Sequence, residues 1–476
     1  MANTKHDRPT ASAVEQHSID FIPERDRGGN VRSLFTIWFG ANMQIIGIVT
    51  GAIGVTLGLP LSQAVVAVVV GNVVGAIAMA LHSAQGPKLG IPQMIQSRAQ
   101  FGFHGAIAPL LIVVLMYLGF YASGIVLGGR ALAAWVGIGY IPAAILIAAV
   151  TTVIAIFGYW VIHALEKVVS VATAVAFIYI TVKLLTEDGA SAAWHAHGEL
   201  DLGLFLLVVS LAATYQITYA PYVADYSRYL PSSTSVRAAF WWTYSGTVIA
   251  TTWMMTVGCL AAAISGKAFG AGSSTFLVGL APHGLGWLIS LILVIGIVAV
   301  NIPNLYGMFM SVTTTLTALF RLKMDIWGRM GFMVAGSVIS TFIAIVGEKN
   351  FVTNLENFIL FLAYGLIPWT AINLTDFYLV RKERYDITSI FDKDGVYGRV
   401  NARTMTAYLV SIAVEIPFVS TTFYTGPLVR HLGGADISWI IGLIVPCVLY
   451  YILMRPLVQN RHPSVAQVAP GTSIPS

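Results

Sequence analysis

Charged residues are scarce in this chain of 476 residues, of which Asp, Glu, Lys and Arg make up 10%. Soluble domains carry about 25% charged residues, so the scarcity excludes a cytosolic enzyme, a nucleic-acid-binding protein and a disordered chain. Cysteine is also rare, and Cys259 and Cys447 both lie in apolar stretches. This excludes a disulfide framework and a CxxC metal site. A cleavable signal peptide is not expected either, because the first 33 residues are polar and charged.

Apolar residues are abundant instead, at 57% of the chain with a mean hydropathy of +0.78. A helix needs about 20 apolar residues to cross a bilayer. Twelve segments meet this requirement, and we predict an all-α integral membrane protein with twelve transmembrane helices. These spans are residues 34–58, 61–82, 105–135, 141–160, 163–186, 202–224, 238–264, 284–318, 330–347, 355–379, 404–425 and 436–457.

The distribution of Lys and Arg predicts the orientation of the spans. If the N-terminus is cytoplasmic, 21 of the 26 basic residues fall on the cytoplasmic side and 5 on the outer side. Cytoplasmic loops carry the excess of Lys and Arg in membrane proteins. We therefore expect both termini to be cytoplasmic, in the plasma (inner) membrane. Residues 1–33 form a polar arm, 381–403 a cytoplasmic loop, and 458–476 a tail whose composition predicts disorder.

Two spans contain residues that break helices at membrane depth. The first span carries five glycines, with Asn42 and Gln44 among them. The sixth span has Pro221 inside it, preceded by Gln216, Thr218 and Tyr219. Proline removes a backbone donor and kinks a helix, and backbone groups freed inside a bilayer need a cavity or a ligand. Such discontinuous helices, in matching positions of two halves, hold the binding site in inverted-repeat transporters.

The eighth span adds two amides on one helix face. Asn301 and Asn304 are three residues apart, so their side chains share that face. An amide offers both donors and acceptors, which suits the edge of a planar amide or a nucleobase. Polar groups inside the bilayer are costly and tend to be functional, so these residues and the two broken spans predict a central polar site. Packing by glycine, a structural kink at Pro221 and interhelical hydrogen bonds from the asparagines are the alternatives.

Five stretches, taken in order, resemble the nucleobase–cation symporter-1 family of cytosine, purine, uracil, allantoin and hydantoin permeases. They are IWFGANMQ (37–44), FGFHGAIAP (101–109), YAPYVADYSRYLP (219–231), NIPN (301–304) and NLTDFYLVRKERYDI (373–387). The resemblance implies a five-plus-five inverted-repeat bundle that works by alternating access. The first repeat would be 34–186, the second 202–380, and two additional helices would occupy 404–457.

The resemblance also implies positions for substrate binding. Gln44 matches the polar residue of span 1, and Phe120 matches an aromatic residue of span 3. Gly124 stands where the family often has an amide, with Ser123 as a substitute. The aromatic residue of span 6 falls on Gln216 in an ungapped match or on Tyr219 through the APY motif, and we favour Tyr219 because a flat ring needs a π face. In span 8, Asn304 matches the family asparagine, and Asn301 lies beside it.

These observations predict a secondary transporter that imports a nucleobase or related nitrogen heterocycle with a coupling cation. Neither a cofactor nor a bound metal is expected, and a monomer in the lipid bilayer suffices. Through the family match the sodium ligands of span 8 would fall near Ile295, Val298 and Ala299, which lack hydroxyls, so H+ is favoured over Na+. A sodium-coupled permease for hydantoin, allantoin or thiamine-like substrates is the alternative. A polytopic membrane enzyme is a remote alternative, since Glu415 is the single deeply placed carboxylate. A channel is another remote alternative, since twelve spans in one chain with broken helices argue against it.

Overall fold

The computed structural model describes residues 20–157, 159–196, 198–266, 269–320 and 326–459. The described residues are almost entirely helical, and their one β-type pairing is an isolated bridge between Ser420 and Thr425. The first ten helices are α1 (Ser33–Asn42), α2 (Ile45–Thr56), α3 (Leu61–His82), α4 (Gln85–Leu89), α5 (Gln93–Phe101), α6 (Ile107–Val136), α7 (Tyr140–Phe157), α8 (Tyr159–Thr186), α9 (Ala190–His195) and α10 (Leu202–Ile217). The others are α11 (Val223–Ser227), α12 (Val236–Ser265), α13 (Phe269–Gly279), α14 (Gly286–Phe320), α15 (Ile326–Gly347), α16 (Phe351–Thr375), α17 (Ile387–Phe391), α18 (Ala402–Glu415) and α19 (Ser438–Gln459).

Each of the twelve predicted spans overlaps at least one of these helices, and the first span includes two, α1 and α2. Within the described residues, seven helices are long and apolar enough to cross a membrane, and the bent pair of α1 and α2 makes up to eight. Two shorter apolar helices, Tyr140–Ile156 and Val171–Thr186, lie in the fourth and fifth spans. The all-helical class is therefore confirmed, while the count of twelve crossings stays a prediction with which the structure is compatible.

Three helix pairs form the centre of the bundle: α6 with α14, α3 with α10, and α2 with α12. Small residues permit these close approaches. A Cβ atom on Gly51 would collide with the backbone of Met255, and one on Gly258 would collide with the backbone of Ile48. The pairs correspond to spans 3 and 8, 2 and 6, and 1 and 7. In two five-span repeats, span 1 corresponds to span 6, span 2 to span 7 and span 3 to span 8. Under this correspondence the pair of spans 3 and 8 is unchanged, and the other two pairs replace each other. The packing is therefore compatible with an inverted repeat.

The outer surface of the bundle is apolar, as contact with lipid requires. On α3, for example, Val66, Val70, Val73 and Ile77 are large apolar side chains that are exposed. Their spacing of three and four residues places them along one stripe of the helix. The opposite face of α3 is buried against α10.

The structure differs from the sequence prediction at the eleventh span and in two connections. Span 11 was predicted over 404–425, but α18 ends at Glu415 and a single 3-10 turn, Ile416–Phe418, follows. Pro417 explains the early end, because proline cannot continue the helical ladder. The polar stretch after α3 contains the short helices α4 and α5, and the loop 381–403 contains α17. Residues 1–19 of the arm and 460–476 of the tail lie outside the described residues.

Candidate functional site

The first span is broken at Met43 and Gln44. Met43 has φ −78° and ψ 67°, and Gln44 is extended at φ −144° and ψ 151°. The axes of α1 and α2 consequently differ by 58°. The carbonyl of Gly40 accepts a hydrogen bond from the amide of Met43 at 3.1 Å, which closes the last turn of α1. Met43 and Gln44 lie between the two helices, and Gln44 immediately precedes α2 in an extended conformation.

The sixth span is broken at Thr218 and Tyr219. Helix α10 ends at Ile217, and a 3-10 turn, Ala220–Tyr222, separates it from α11. Pro221 lies within that turn and lacks the backbone N–H that a continuous helix would use. The hydroxyl of Thr218 donates to the carbonyl of Tyr215 at 2.7 Å and caps the end of α10. Tyr219 therefore lies at the break, where it is 6% exposed.

The two breaks meet through side chains. The amide nitrogen Nε2 of Gln44 lies 3.2 Å from the hydroxyl oxygen of Tyr219 and 3.4 Å from that of Tyr215. It also donates to the carbonyl of Ala41 at 2.9 Å. The Tyr219 hydroxyl donates to that of Tyr215 at 3.3 Å. Among the described residues no donor reaches Oε1 of Gln44, although this oxygen is buried. The junction thus contains one buried acceptor without a partner among the described residues.

Aromatic side chains surround this junction. The ring centroid of Trp38 lies 5.6 Å from that of Tyr219, with the planes at 71°. Tyr222 lies 5.8 Å from Tyr219 and 5.8 Å from Tyr117 of α6. Sequence reasoning missed Trp38, Tyr222, Tyr117 and also Tyr215. The dense aromatics of IWFGANMQ and YAPYVADY were the available signal for Trp38 and Tyr222, but aromatic residues at helical spacing are as common in cores as in binding sites.

Helix α6 places Phe120 and Gly124 toward the same region. The ring of Phe120 packs edge-on against Tyr215, with 6.1 Å between centroids, and against Phe358 at 5.2 Å. The hydroxyl of Ser123 donates to the carbonyl of Gly119 in its own helix at 2.8 Å. Phe120 therefore contacts the aromatic group at the span 6 break, whereas the Ser123 hydroxyl is already committed to a backbone acceptor.

Asn301 and Asn304 contact each other on α14. The amide of Asn304 lies 3.5 Å from Oδ1 of Asn301, and Nδ2 of Asn301 donates to the carbonyl of Tyr121 at 3.1 Å. Asn301 is fully buried and Asn304 only partly. A Cβ atom on Gly124 would lie 2.5 Å from Oδ1 of Asn301. The glycine is therefore explained by space, since any larger residue there would displace the Asn301 amide.

Gln216 belongs to a different polar group. Its Nε2 donates to Oδ1 of Asn72 on α3 at 2.9 Å, and its Oε1 accepts from the hydroxyl of Thr247 on α12 at 2.7 Å. Thr247 in turn accepts from Asn42 at 3.1 Å. Gln216 has no exposed surface. Both ends of its amide are occupied, so the structure separates it from the junction that holds Gln44 and Tyr219.

Another buried polar group, around Asp376, holds the loop 381–403 in place. The carboxylate of Asp376 accepts hydrogen bonds from Gln100 at 2.9 Å, Arg381 at 3.1 Å, Tyr385 at 2.8 Å and Tyr450 at 2.7 Å. Burial alone lowers the pKa of Arg381, but the facing Asp376 carboxylate raises it well above the ordinary value. This ion pair joins the end of span 10 to loop 381–403, as a structural anchor rather than a site open to substrate.

A bundle of apolar helices with two central breaks that meet at buried polar side chains defines an integral membrane transporter of the broken-helix type. Residues 21–442 match the family model described as permeases for cytosine/purines, uracil, thiamine and allantoin. The chain belongs to this family. It is a permease and not an enzyme, and the predicted class is confirmed.

Named relatives agree with this assignment. The chain is 45% identical to "Putative purine-cytosine permease YxlA" of Bacillus subtilis, over 94% of this chain and 97% of that one. It is 28% identical to "Purine-cytosine permease fcyB" of Emericella nidulans, over 93% of this chain and 88% of that one. Among solved structures, Mhp1, a nucleobase-cation-symport-1 family transporter with bromovinylhydantoin bound, matches with a TM-score of 0.72. The match covers 94% of this chain and 97% of the Mhp1 chain at 19% sequence identity. At this identity the likeness shows the fold alone.

Proposed function

We propose that the protein imports a cytosine- or purine-like nitrogen heterocycle together with H+, by alternating access around the junction of Gln44 and Tyr219. The observation that carries the proposal is this contact between the two helix breaks, with a buried amide oxygen of Gln44 left for a ligand. Purine-cytosine permeases of known name among the relatives support the substrate class.

The substrate is held by aromatic faces and amide edges. Tyr219 and Phe120 both contact Tyr215, so their rings border one region. Gln44 supplies an acceptor there, and Asn304 supplies an amide from α14. Gly307, one turn beyond Asn304, lies against the ring of Tyr117, which continues through Tyr222 to Tyr219. Span 8 thereby borders the same aromatic group, and a flat base would lie between rings and amides.

Selectivity follows from the buried amides. A substrate that leaves a buried donor or acceptor without a partner loses about 1–3 kcal/mol relative to one that pairs with it. Stacking on an aromatic ring tolerates any base, because every base has a π face. The amides of Gln44 and Asn304 therefore choose among heterocycles, while Tyr219 and Phe120 supply affinity. Gln216, Ser123 and Asn301 are already hydrogen-bonded to neighbouring protein groups. They support the site by holding the surrounding helices in place.

Proton coupling is supported by the lack of oxygen ligands where a sodium ion would be expected. Ile295, Val298 and Ala299 of α14 carry no oxygen in their side chains. On span 1 the carbonyl of Gly40 already accepts from Met43. A hard cation needs several converging oxygens, and these two helices offer few of them. Sodium coupling remains the alternative, with the ion held elsewhere.

The proposal also includes the orientation of the transporter in the membrane, its two repeats and its oligomeric state. Both termini and loop 381–403 face the cytoplasm of a plasma (inner) membrane, from the asymmetry of Lys and Arg. Residues 34–186 and 202–380 form the two repeats, and 404–457 adds two helices beside them. The site is contained in a single chain, so a monomer in the bilayer suffices.

A thermal-shift panel on the purified full chain tests the function. Cytosine, adenine, hypoxanthine, uracil, hydantoin, allantoin and thiamine are compared with glucose and proline, whose saturated rings are non-planar, as controls. A ligand that binds only the folded protein adds about 2.7 kcal/mol at a hundred times its dissociation constant. We expect at least one planar heterocycle to raise the melting temperature and to drive counterflow in proteoliposomes. A shift with none of the heterocycles contradicts the proposal.

A further inference from the structure

Glu415 is a buried carboxyl group that the transport site does not use. It is the last residue of α18, where Pro417 stops the helix, and it is 1% exposed. Among the described residues neither Oε1 nor Oε2 has a hydrogen-bond partner. An ionised carboxylate without a partner is among the most costly groups to bury. Something must therefore neutralise this side chain in the folded protein.

The neighbours of Glu415 make its ionisation harder rather than easier. Asp436, which precedes α19, is also fully buried and acts on Glu415 electrostatically as a like charge. The phenol groups facing it are Tyr364 of α16 and Tyr408 of its own helix. Gly442 of α19 packs directly on the carboxyl group, and a Cβ atom there would lie 2.6 Å from Oε1. No Lys, Arg or His among the described residues forms an ion pair with Glu415.

Asp436 accepts hydrogen bonds from several neighbouring donors. Its Oδ1 accepts from the amide and the hydroxyl of Ser438 at 2.9 and 2.5 Å. Its Oδ2 accepts from the amide of Ser420 at 2.8 Å and the hydroxyl of Tyr364 at 3.3 Å. Hydrogen bonds to a carboxylate favour its charged form. Of the two neighbouring carboxyl groups, Asp436 has hydrogen-bond donors that stabilise its charged form, whereas Glu415 has none among the described residues.

We propose that Glu415 is a proton-binding site, occupied in the folded protein, at the end of the bundle where spans 10, 11 and 12 meet. A proton needs one oxygen atom, which Glu415 provides. A sodium ion needs several oxygens, and the nearby hydroxyls of Ser438 and Tyr364 are committed as donors to Asp436. The proposal is independent of the substrate site, and it predicts that Glu415→Gln, the isosteric neutral variant, retains substrate binding and uptake.

Infrared spectroscopy of the full chain in lipid tests the proposal directly. A protonated carboxyl group has a carbonyl stretch separate from the bands of carboxylates. We expect this band in the wild type at neutral pH and its loss in Glu415→Gln. The matched control is Glu187→Gln, because Glu187 is partly exposed and pairs with Lys183 at 3.4 Å. Its replacement is expected to leave the band unchanged. Identical spectra for the wild type and Glu415→Gln would overturn the proposal.

A chemical measurement on the wild type guards against a variant that fails to fold. Hydrophobic carbodiimides react with protonated carboxyl groups in apolar surroundings. Mass spectrometry of the labelled chain is expected to find the adduct on Glu415 and not on Glu187. Absence of label on Glu415 at neutral pH would overturn the proposal. Because neither measurement involves a heterocycle, failure here is distinguishable from failure of the transport function.

Discussion

The side-chain amide of Gln44 and the hydroxyl of Tyr219 lie 3.2 Å apart, and this contact joins the break in the first span to the break in the sixth. Neither residue is in a regular helix, and each is placed by the interruption beside it. The two interruptions have different causes, a β-type backbone at Gln44 and a proline at position 221. The contact between them makes one site out of two local irregularities.

Gln216 is expected to contribute to stability and not to substrate choice. Gln216→Leu removes the donor to Oδ1 of Asn72 and the acceptor of the Thr247 hydroxyl proton, at about 1–3 kcal/mol for each buried group. The melting temperature should fall, while the relative response to different heterocycles stays the same. The control is the double variant with Thr247→Val, whose loss should be smaller than the sum of the single losses. A changed order of ligands in Gln216→Leu would place its amide at the substrate.

Gly124 is expected to act through Asn301. Gly124→Ala adds a methyl group that must displace the Asn301 amide, since the Cβ position lies 2.5 Å from Oδ1. Loss of one buried hydrogen bond corresponds to about tenfold weaker binding. Titration by thermal shift measures the change, with Gly128→Ala on the same helix as the control for added bulk against Ile297. Equal affinity in Gly124→Ala and the wild type would mean that Asn301 does not shape the site.

The orientation is tested by labelling single cysteines from outside intact cells. Val396→Cys is exposed in loop 381–403, and Ser191→Cys is exposed in the connection after span 5. The background is low, because Cys259 is buried and Cys447 partly so. An impermeant maleimide should label Ser191→Cys and not Val396→Cys. The reverse pattern would invert the predicted topology, and cytoplasmic termini with it.

Uptake by proteoliposomes tests the coupling ion. In sodium-free buffer, an imposed pH gradient should drive accumulation of the heterocycle, and collapsing that gradient should abolish it. The reason is the shortage of oxygen ligands at Ile295, Val298 and Ala299. If accumulation requires sodium and ignores the pH gradient, the ion is held by another pair of helices.

The fold was largely predictable, because the hydrophobic length of each span and the helix-breaking residues are local properties of the sequence. Pro221 lies in the 3-10 turn at the break of span 6. The break of span 1 falls at Met43 and Gln44, whereas Gly47, Gly51 and Gly54 lie inside α2. The end of α18 at Glu415 was missed, because the apolar residues after Pro417 continued the hydropathy signal without continuing the helix. Helices α4 and α5 were missed because a polar stretch has no apolar periodicity to show them.

The site was predictable only in part, because contacts between helices decide it. Gln44 and Tyr219 were identified from their breaks, and the structure brings them together. Gln216 has the same residue type as Gln44 and a similar depth, and only its partners on α3 and α12 show that its amide is occupied. Trp38 and Tyr215 were indistinguishable from core residues until their rings were seen beside Tyr219.

The most direct test of the central claim is the affinity of purified protein for its heterocycle in variants of Tyr219 and Asn304. Tyr219→Ala removes the ring beside Gln44, and Asn304→Ala removes the amide of span 8. The account predicts that both variants fold, that both lose the ligand-induced rise in melting temperature, and that Tyr219→Trp retains most of it. A normal ligand response in folded Tyr219→Ala and Asn304→Ala would contradict the account, because the substrate would then bind away from the junction of the two breaks.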